Sequence, residues 1–201
     1  MAWVVAPGRI PYRQAWELQR RLLQQRIDDE VGDVVVVCEH DPVYTVGRRP
    51  GALANVLAPQ GAEVVEVERG GDVTFHGPGQ VVVYPIMKLE GRDRDLHGFM
   101  ARLEQLMIDV CAEFGLAAGR DDRNTGCWIA GRKVGSVGIS CRKWVTWHGL
   151  ALNVCTDLAW FRAIRPCGFD AEIMTTMEAE FRAPVDPARV AASLIARLGE
   201  W

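Results

Sequence analysis

Residues Arg69-Gly70-Gly71-Asp72-Val73-Thr74-Phe75-His76-Gly77-Pro78-Gly79-Gln80 constrain this chain more than any other run. Four glycines, a proline and a histidine fall within twelve residues, directly before the apolar stretch 81–86. A strand has no use for so many glycines. A backbone that must come close to a ligand does, because glycine has no Cβ to block the approach and tolerates positive φ. The proline then fixes a bend. The run reads as one wall of a binding site.

The chain of 201 residues is about the length of one domain, and residues 1–201 are read as a single unit. Charged residues make up 24% and the apolar set 49%, an ordinary balance for a soluble globular protein. A net charge of −3 argues against a general nucleic-acid binder, which is usually basic. No unbroken apolar run, 34–38 included, exceeds six residues, too short to cross a bilayer. Residues 1–13 lack the charged start and apolar stretch of a signal peptide, so a cytoplasmic location is expected. Cysteines stand at 38, 111, 127, 141, 155 and 167, with no C-x-x-C and no paired zinc spacing. All except Cys167 are expected to be small buried hydrophobes.

Hydrophobic periodicity predicts helices over 12–31, 96–114, 157–164 and 187–198. Strands are predicted over 33–40, 43–46, 63–68, 81–89, 126–130, 134–141 and 145–154. The last three read as an antiparallel meander. Strands and helices do not alternate strictly, so the fold class is α+β, with a largely antiparallel or mixed sheet.

Cys167 lies in Arg165-Pro166-Cys167-Gly168-Phe169, on a tight turn rather than inside a core element. A thiol held there is placed as a nucleophile would be; it also fits a loop cysteine with no role. Lys133 opens the apolar, glycine-spaced strand that runs through Gly138. A desolvated lysine can act as a general base, and a charged one beside a thiol favours the thiolate. A solvated surface lysine fits the same spacing. His76 and His148 are rival partners for the thiol, and each also reads as a structural histidine. Neither metal-ligand nor nucleotide-phosphate spacing is present, so no metal and no cofactor are expected.

Taken together, Glu39–Gly47, residues 69–80, Gly131–Gly138, His148–Val154 and Pro166-Cys167-Gly168 resemble the lipoyl(octanoyl) transferase family. They occur in the family's order, strongest over residues 33–175. The resemblance implies a biotin/lipoate protein ligase-like fold, akin to class II aminoacyl-tRNA synthetases and biotin synthetase: a mixed sheet flanked by helices. It also implies an octanoyltransferase of lipoate biosynthesis, in which octanoyl-acyl carrier protein is the donor. The acceptors would be lysines of lipoyl domains, in 2-oxoacid dehydrogenase E2 subunits and the glycine cleavage H protein. Cys167 would carry the acyl group as a thioester, and Lys133 would lower its pKa and serve as acid and base. Substrate-lining segments would be Arg69, Gly70, Gly71, Asp72, Val73, Thr74, Phe75 and His76, then Ser136, Val137 and Gly138, then Gly149, Leu150 and Ala151. Such partners are typically acidic, which makes Arg48-Arg49 and Arg142-Lys143, and secondarily Arg9 and Arg13, candidates for a basic rim; ordinary solvated charges fit the same positions. An ATP-dependent ligase on the same fold, a non-catalytic lipoyl-domain binder and a cysteine hydrolase are the competing readings.

Overall fold

A computed structural model of the chain describes residues 2–199 and 201, and the backbone alone at Cys167. In chain order the elements are β1 (Trp3–Ile10), α1 (Tyr12–Ile27), β2 (Val34–His40), β3 (Val43–Val46), β4 (Glu63–Glu66), β5 (Val73–His76), β6 (Gln80–Ile86), α2 (Leu96–Glu113), β7 (Ala118–Gly119), β8 (Gly126–Ile129), β9 (Arg132–Arg142), β10 (Val145–Asn153), α3 (Met177–Phe181) and α4 (Pro187–Leu198). Short 3-10 turns connect several of them.

Seven strands form the larger sheet in the order β1-β2-β6-β10-β9-β8-β7. Only β1 and β2 run parallel in it. A smaller sheet has the order β4-β3-β5. The valine run of β2 shows why the larger sheet needs helices on both faces. Successive side chains point to opposite faces: Val35 and Val37 join a core with α2 and α4, and Val36 and Cys38 join a second core with α1. The expected mixed sheet flanked by helices is therefore present. The antiparallel meander is β8-β9-β10.

Four expectations are corrected. Helix α1 ends at Ile27 rather than at residue 31. The Arg26 guanidinium donates to Asp29 and Asp33, each at 2.7 Å, and Asp29 takes the left-handed region at φ 56°. β1 has no counterpart among the predicted strands; Pro7 and Gly8 interrupt its pattern, and its register slips between Val5 and Gly8. The glycine-rich run does contain a strand, β5, paired antiparallel with β3. Its glycines flank that strand, with Gly71 and Gly79 at φ 87° and 78°. Two cysteines expected to be buried are not: Cys141 is half-buried, and Cys155 is exposed, because the chain leaves β10 at Asn153 and folds onto Gly79 through the Val154 and Cys155 N–H groups.

Candidate active site

The first wall of the site is the 69–76 strip. Arg69 anchors it. Its buried guanidinium donates to the Thr45 carbonyl at 2.6 Å, the Thr45 hydroxyl at 3.0 Å and the Gly70 carbonyl at 3.0 Å. The Gly70 N–H donates to the Ile139 carbonyl at 2.8 Å, which lays the strip against β9. Asp72 turns its carboxylate away from this task. It accepts from Asn55 Nδ2 at 2.8 and 2.9 Å and from the Val73 N–H at 2.7 Å, and Arg49 lies 3.4 Å away. That bond set ties the 49–55 loop to the strip.

The second wall is the β9–β10 ladder, in which Ser136 pairs with Ala151, Gly138 with Gly149 and Ile139 with His148. A Cβ at Gly138 would lie 3.2 Å from both Arg69 Cδ and the Gly70 carbonyl. Glycine at this position lets the first wall approach the second. Between the walls lies a cavity of about 230 Å³. Every predicted lining residue from the three segments borders it, with one exception. Phe75 does not. It is fully buried on the far side of β5, stacked on Trp160 at 5.3 Å and edge-on to Phe161 at 5.6 Å. Alternation along β5 explains this: Thr74 and His76 face the cavity, and Phe75 faces the opposite core.

Lys133 also borders the cavity and is buried. Its ammonium donates to the Asn124 side-chain oxygen and to the Thr125 carbonyl at 2.8 Å, and it lies 5.6 Å from the centre of the Trp128 ring. Gly126 makes room for this side chain, since a Cβ there would lie 2.6 Å from Lys133 Cε. The backbone of Lys133 meets the segment that follows Cys167. It bridges to Met174, and its carbonyl accepts from the Thr175 N–H at 2.9 Å. Pro166, Phe169, Ile173 and Met174 close the cavity on that side. The Cys167 side chain lies outside the described residues; its backbone belongs to the single 3-10 turn Pro166–Gly168. The structure thus brings Lys133 and both flanks of the Cys167 turn to one cavity.

The rival bases are placed differently. His76 is buried with both ring nitrogens engaged, Nδ1 by Gln80 Oε1 at 2.7 Å and Nε2 by the Thr45 hydroxyl at 3.4 Å. Burial, reinforced by His40, pushes its pKa down to about 3. Burial also lowers the pKa of His148, opposed by Glu68. An oxyanion formed in acyl transfer needs free N–H donors, but beside the cavity the Gly168 N–H donates to Arg165, the Gly70 N–H to Ile139 and the Val73 N–H to Asp72. The Arg48 and Arg49 N–H groups bond to the carbonyls of Arg69 and Gly71, so this pair sits beside the site. Arg142 and Lys143 do not. They stand at the hairpin end of β9, nine residues from Lys133, or about 30 Å at roughly 3.3 Å per residue.

Sequence reasoning missed Tyr12, Tyr84, Asn124 and Thr125, all of which line the cavity. Tyr12 opens a helix and Tyr84 sits in an apolar strand, so each reads as core. Asn124 and Thr125 lie in a polar loop with no local signal of their proximity to Lys133. Among the described residues, no cluster of three or more histidine, cysteine or acidic side chains is arranged to hold a metal ion. No helix among them is long and apolar enough to cross a membrane.

Comparison with known proteins identifies the family. Residues 11–199 match the model of the lipoyl protein ligase A/B catalytic domain. The chain belongs to that family. An octanoyltransferase from Geobacter metallireducens is 46% identical over 190 residues, covering 94% of this chain and 88% of its own length. One from Rubrobacter xylanophilus is 42% identical over 201 residues, covering 96% and 90%. In fold the family member resembles the bipartite lipoate protein ligase of Thermoplasma acidophilum, with a TM-score of 0.70, 14% identity and coverage of 99% and 82%. It also resembles the biotin protein ligase of Aquifex aeolicus, with a TM-score of 0.54, 12% identity and coverage of 98% and 67%. The expected biotin/lipoate protein ligase-like fold is the observed one.

Proposed function

We propose that this family member is an octanoyltransferase that moves an octanoyl group from octanoyl-acyl carrier protein to a lysine of a lipoyl domain or H protein, by way of a thioester on Cys167. The observation that carries this reading is the convergence of the three lining segments and Lys133 on one cavity closed by the flanks of the Cys167 turn. The 46% identity to an octanoyltransferase supports it.

In the first step the Cys167 thiolate attacks the donor thioester carbonyl. The new C–S bond forms as the donor's C–S bond breaks, and the departing thiolate takes a proton from the Lys133 ammonium. In the second step the neutral acceptor amine attacks the enzyme thioester. An amide forms, the amine proton passes to Lys133, and Cys167 leaves as thiolate. Charge and protons balance over the cycle, and Lys133 returns to its starting state. Asn124 and Thr125, which both accept from its ammonium, hold it between the two steps. The neutral, fully engaged His76 favours lysine over histidine for this role. Arg48 and Arg49 form the basic rim for acidic carrier domains.

Transfer is tested with octanoyl-acyl carrier protein and a lipoyl domain in the absence of ATP. Octanoylated lipoyl domain is the expected product. A strict requirement for free octanoate and ATP points instead to a ligase, and release of free octanoate to a hydrolase.

A further inference from the structure

One end of the cavity is polar, which is unexpected for a slot that holds a hydrocarbon tail. Tyr12, His76, Tyr84 and His148 border it there. Four buried side-chain atoms make no hydrogen bond to the described residues: both ring nitrogens of His148, which borders the cavity, and Gln19 Nε2 and Trp147 Nε1, which stand behind it and do not line the cavity. They form one cluster. The His148 N–H donates to Gln19 Oε1 at 2.9 Å, and the Trp147 and His148 rings lie 4.4 Å apart. The Glu68 carboxylate lies 3.9 Å from His148 Nε2. His148 is 1% exposed, takes φ 55°, and borders the cavity.

We propose that this buried polar end sets the acyl-chain length, with His148 as the specificity-determining residue and Gln19, which holds the His148 backbone from behind, as a positioning residue; the inference rests on the acyl-transfer reading above. The dimensions fit. From the Ser136–Ala151 pair to the Ile139–His148 pair is three residues of β9, about 10 Å at roughly 3.3 Å per residue. The seven C–C bonds of an extended octanoyl chain span about 8–9 Å, taking ~3.6 Å per three bonds. Along β9 Lys133 stands beyond Ser136 on the opposite side from His148, and the segment after the Cys167 turn bridges to Lys133 through Met174, so the carbonyl belongs at that end and the methyl tip near His148. Within the apolar part of the slot each added methylene strengthens binding by about fourfold. A methylene pushed past Ile139 instead meets the His148 ring, whose nitrogens make no hydrogen bond among the described residues, and that gain turns into a loss. The wall that stops the chain is chemical as well as steric.

The test measures kcat/KM for enzyme acylation by a series of straight-chain acyl thioesters from six to fourteen carbons. The readout is the ratio of the dodecanoyl to the octanoyl value within each protein. Gln19→Leu, His148→Leu and the double variant are compared with wild type. The expected result is a dodecanoyl-to-octanoyl ratio at least tenfold higher in the double variant than in wild type, with single variants between. Gln19→Leu changes only a helix side chain and keeps the test open if His148→Leu does not fold. An unchanged ratio in an active variant overturns the inference and leaves the transfer reading standing. If wild type accepts no acyl group from any thioester, the transfer reading itself fails and the length inference with it.

Discussion

The paired glycines at the centre of the site give the sharpest prediction, because one addition strikes backbone and the other a movable loop. Gly138 and Gly149 face each other across β9 and β10. A methyl group at Gly149 would lie 2.1 Å from the Val83 carbonyl oxygen and 2.6 Å from Pro85 Cδ. Val83 belongs to β6, whose backbone pairs with β10 one residue away. Nothing at that point can rotate aside, so β6 and β10 must part. Overpacking of this kind costs about 3 kcal/mol or more, a large share of a total stability of roughly 5–15 kcal/mol. At Gly138 the added carbon would lie 3.2 Å from Arg69 Cδ and the Gly70 carbonyl. That neighbour is a loop laid against β9 through the 2.8 Å Gly70–Ile139 bond, and a shift of a few tenths of an ångström relieves the contact at about 1 kcal/mol. The same shift displaces a cavity wall, and a loss of about 1.4 kcal/mol in the transition state is tenfold in rate. Gly149→Ala should therefore lower the urea midpoint strongly or prevent folding. Gly138→Ala should fold nearly as wild type but acylate about tenfold more slowly. The reasoning is refuted if Gly149→Ala unfolds within about 0.5 kcal/mol of wild type, or if Gly138→Ala is the less stable of the two.

Acidification gives a second prediction. Burial pushes His40 down to about 4 and His76 to about 3 from the ordinary 6.5. Between those values and 6.5 the unfolded chain binds protons that the folded chain refuses, so stability rises with pH there and is fully present above 6.5. The unfolding free energy from urea titration should fall from pH 6.5 to 4, these two histidines together contributing a slope approaching about 3 kcal/mol per pH unit, and His76→Gln should reduce the slope by about 1.4 kcal/mol per pH unit. A flat profile contradicts the burial argument. Lys133→Gln should slow transfer by about 10²–10⁴ and move thiol alkylation of Cys167 to higher pH; an unmoved alkylation profile removes lysine from thiolate formation. Charge reversal at Arg48 and Arg49 should flatten the salt dependence of transfer from acyl carrier protein while sparing transfer from a small thioester. Equal losses with both donors dispose of the rim.

What the sequence exposed, and what it hid, follows from how far each signal reaches. Strand Val43–Val46 and helix Pro187–Leu198 have the bounds that local pattern assigns them, because each carries an unbroken period and clear stops. The α1 C-terminus was hidden, since Arg26 closes it through carboxylates at 29 and 33 rather than through Gly32. β1 was hidden for a different reason: its partner is parallel and distant, and Pro7 and Gly8 mask its alternation. At the site, the glycine run advertised a close approach, and Gly70 against Ile139 is that approach. Phe75 was misassigned because a motif names residues without saying which face each one takes. Asn124, Thr125 and Tyr12 reach the cavity only through tertiary packing, so no spacing along the chain could announce them.

The central claim is tested most directly by intact mass measurement after brief incubation with octanoyl-acyl carrier protein, followed by peptide mapping. The account predicts one octanoyl group per chain, on the peptide containing Cys167, abolished in Cys167→Ser and discharged by adding lipoyl domain. An adduct on another residue, such as the exposed Cys155, or transfer with no acylated enzyme at any time, would contradict it.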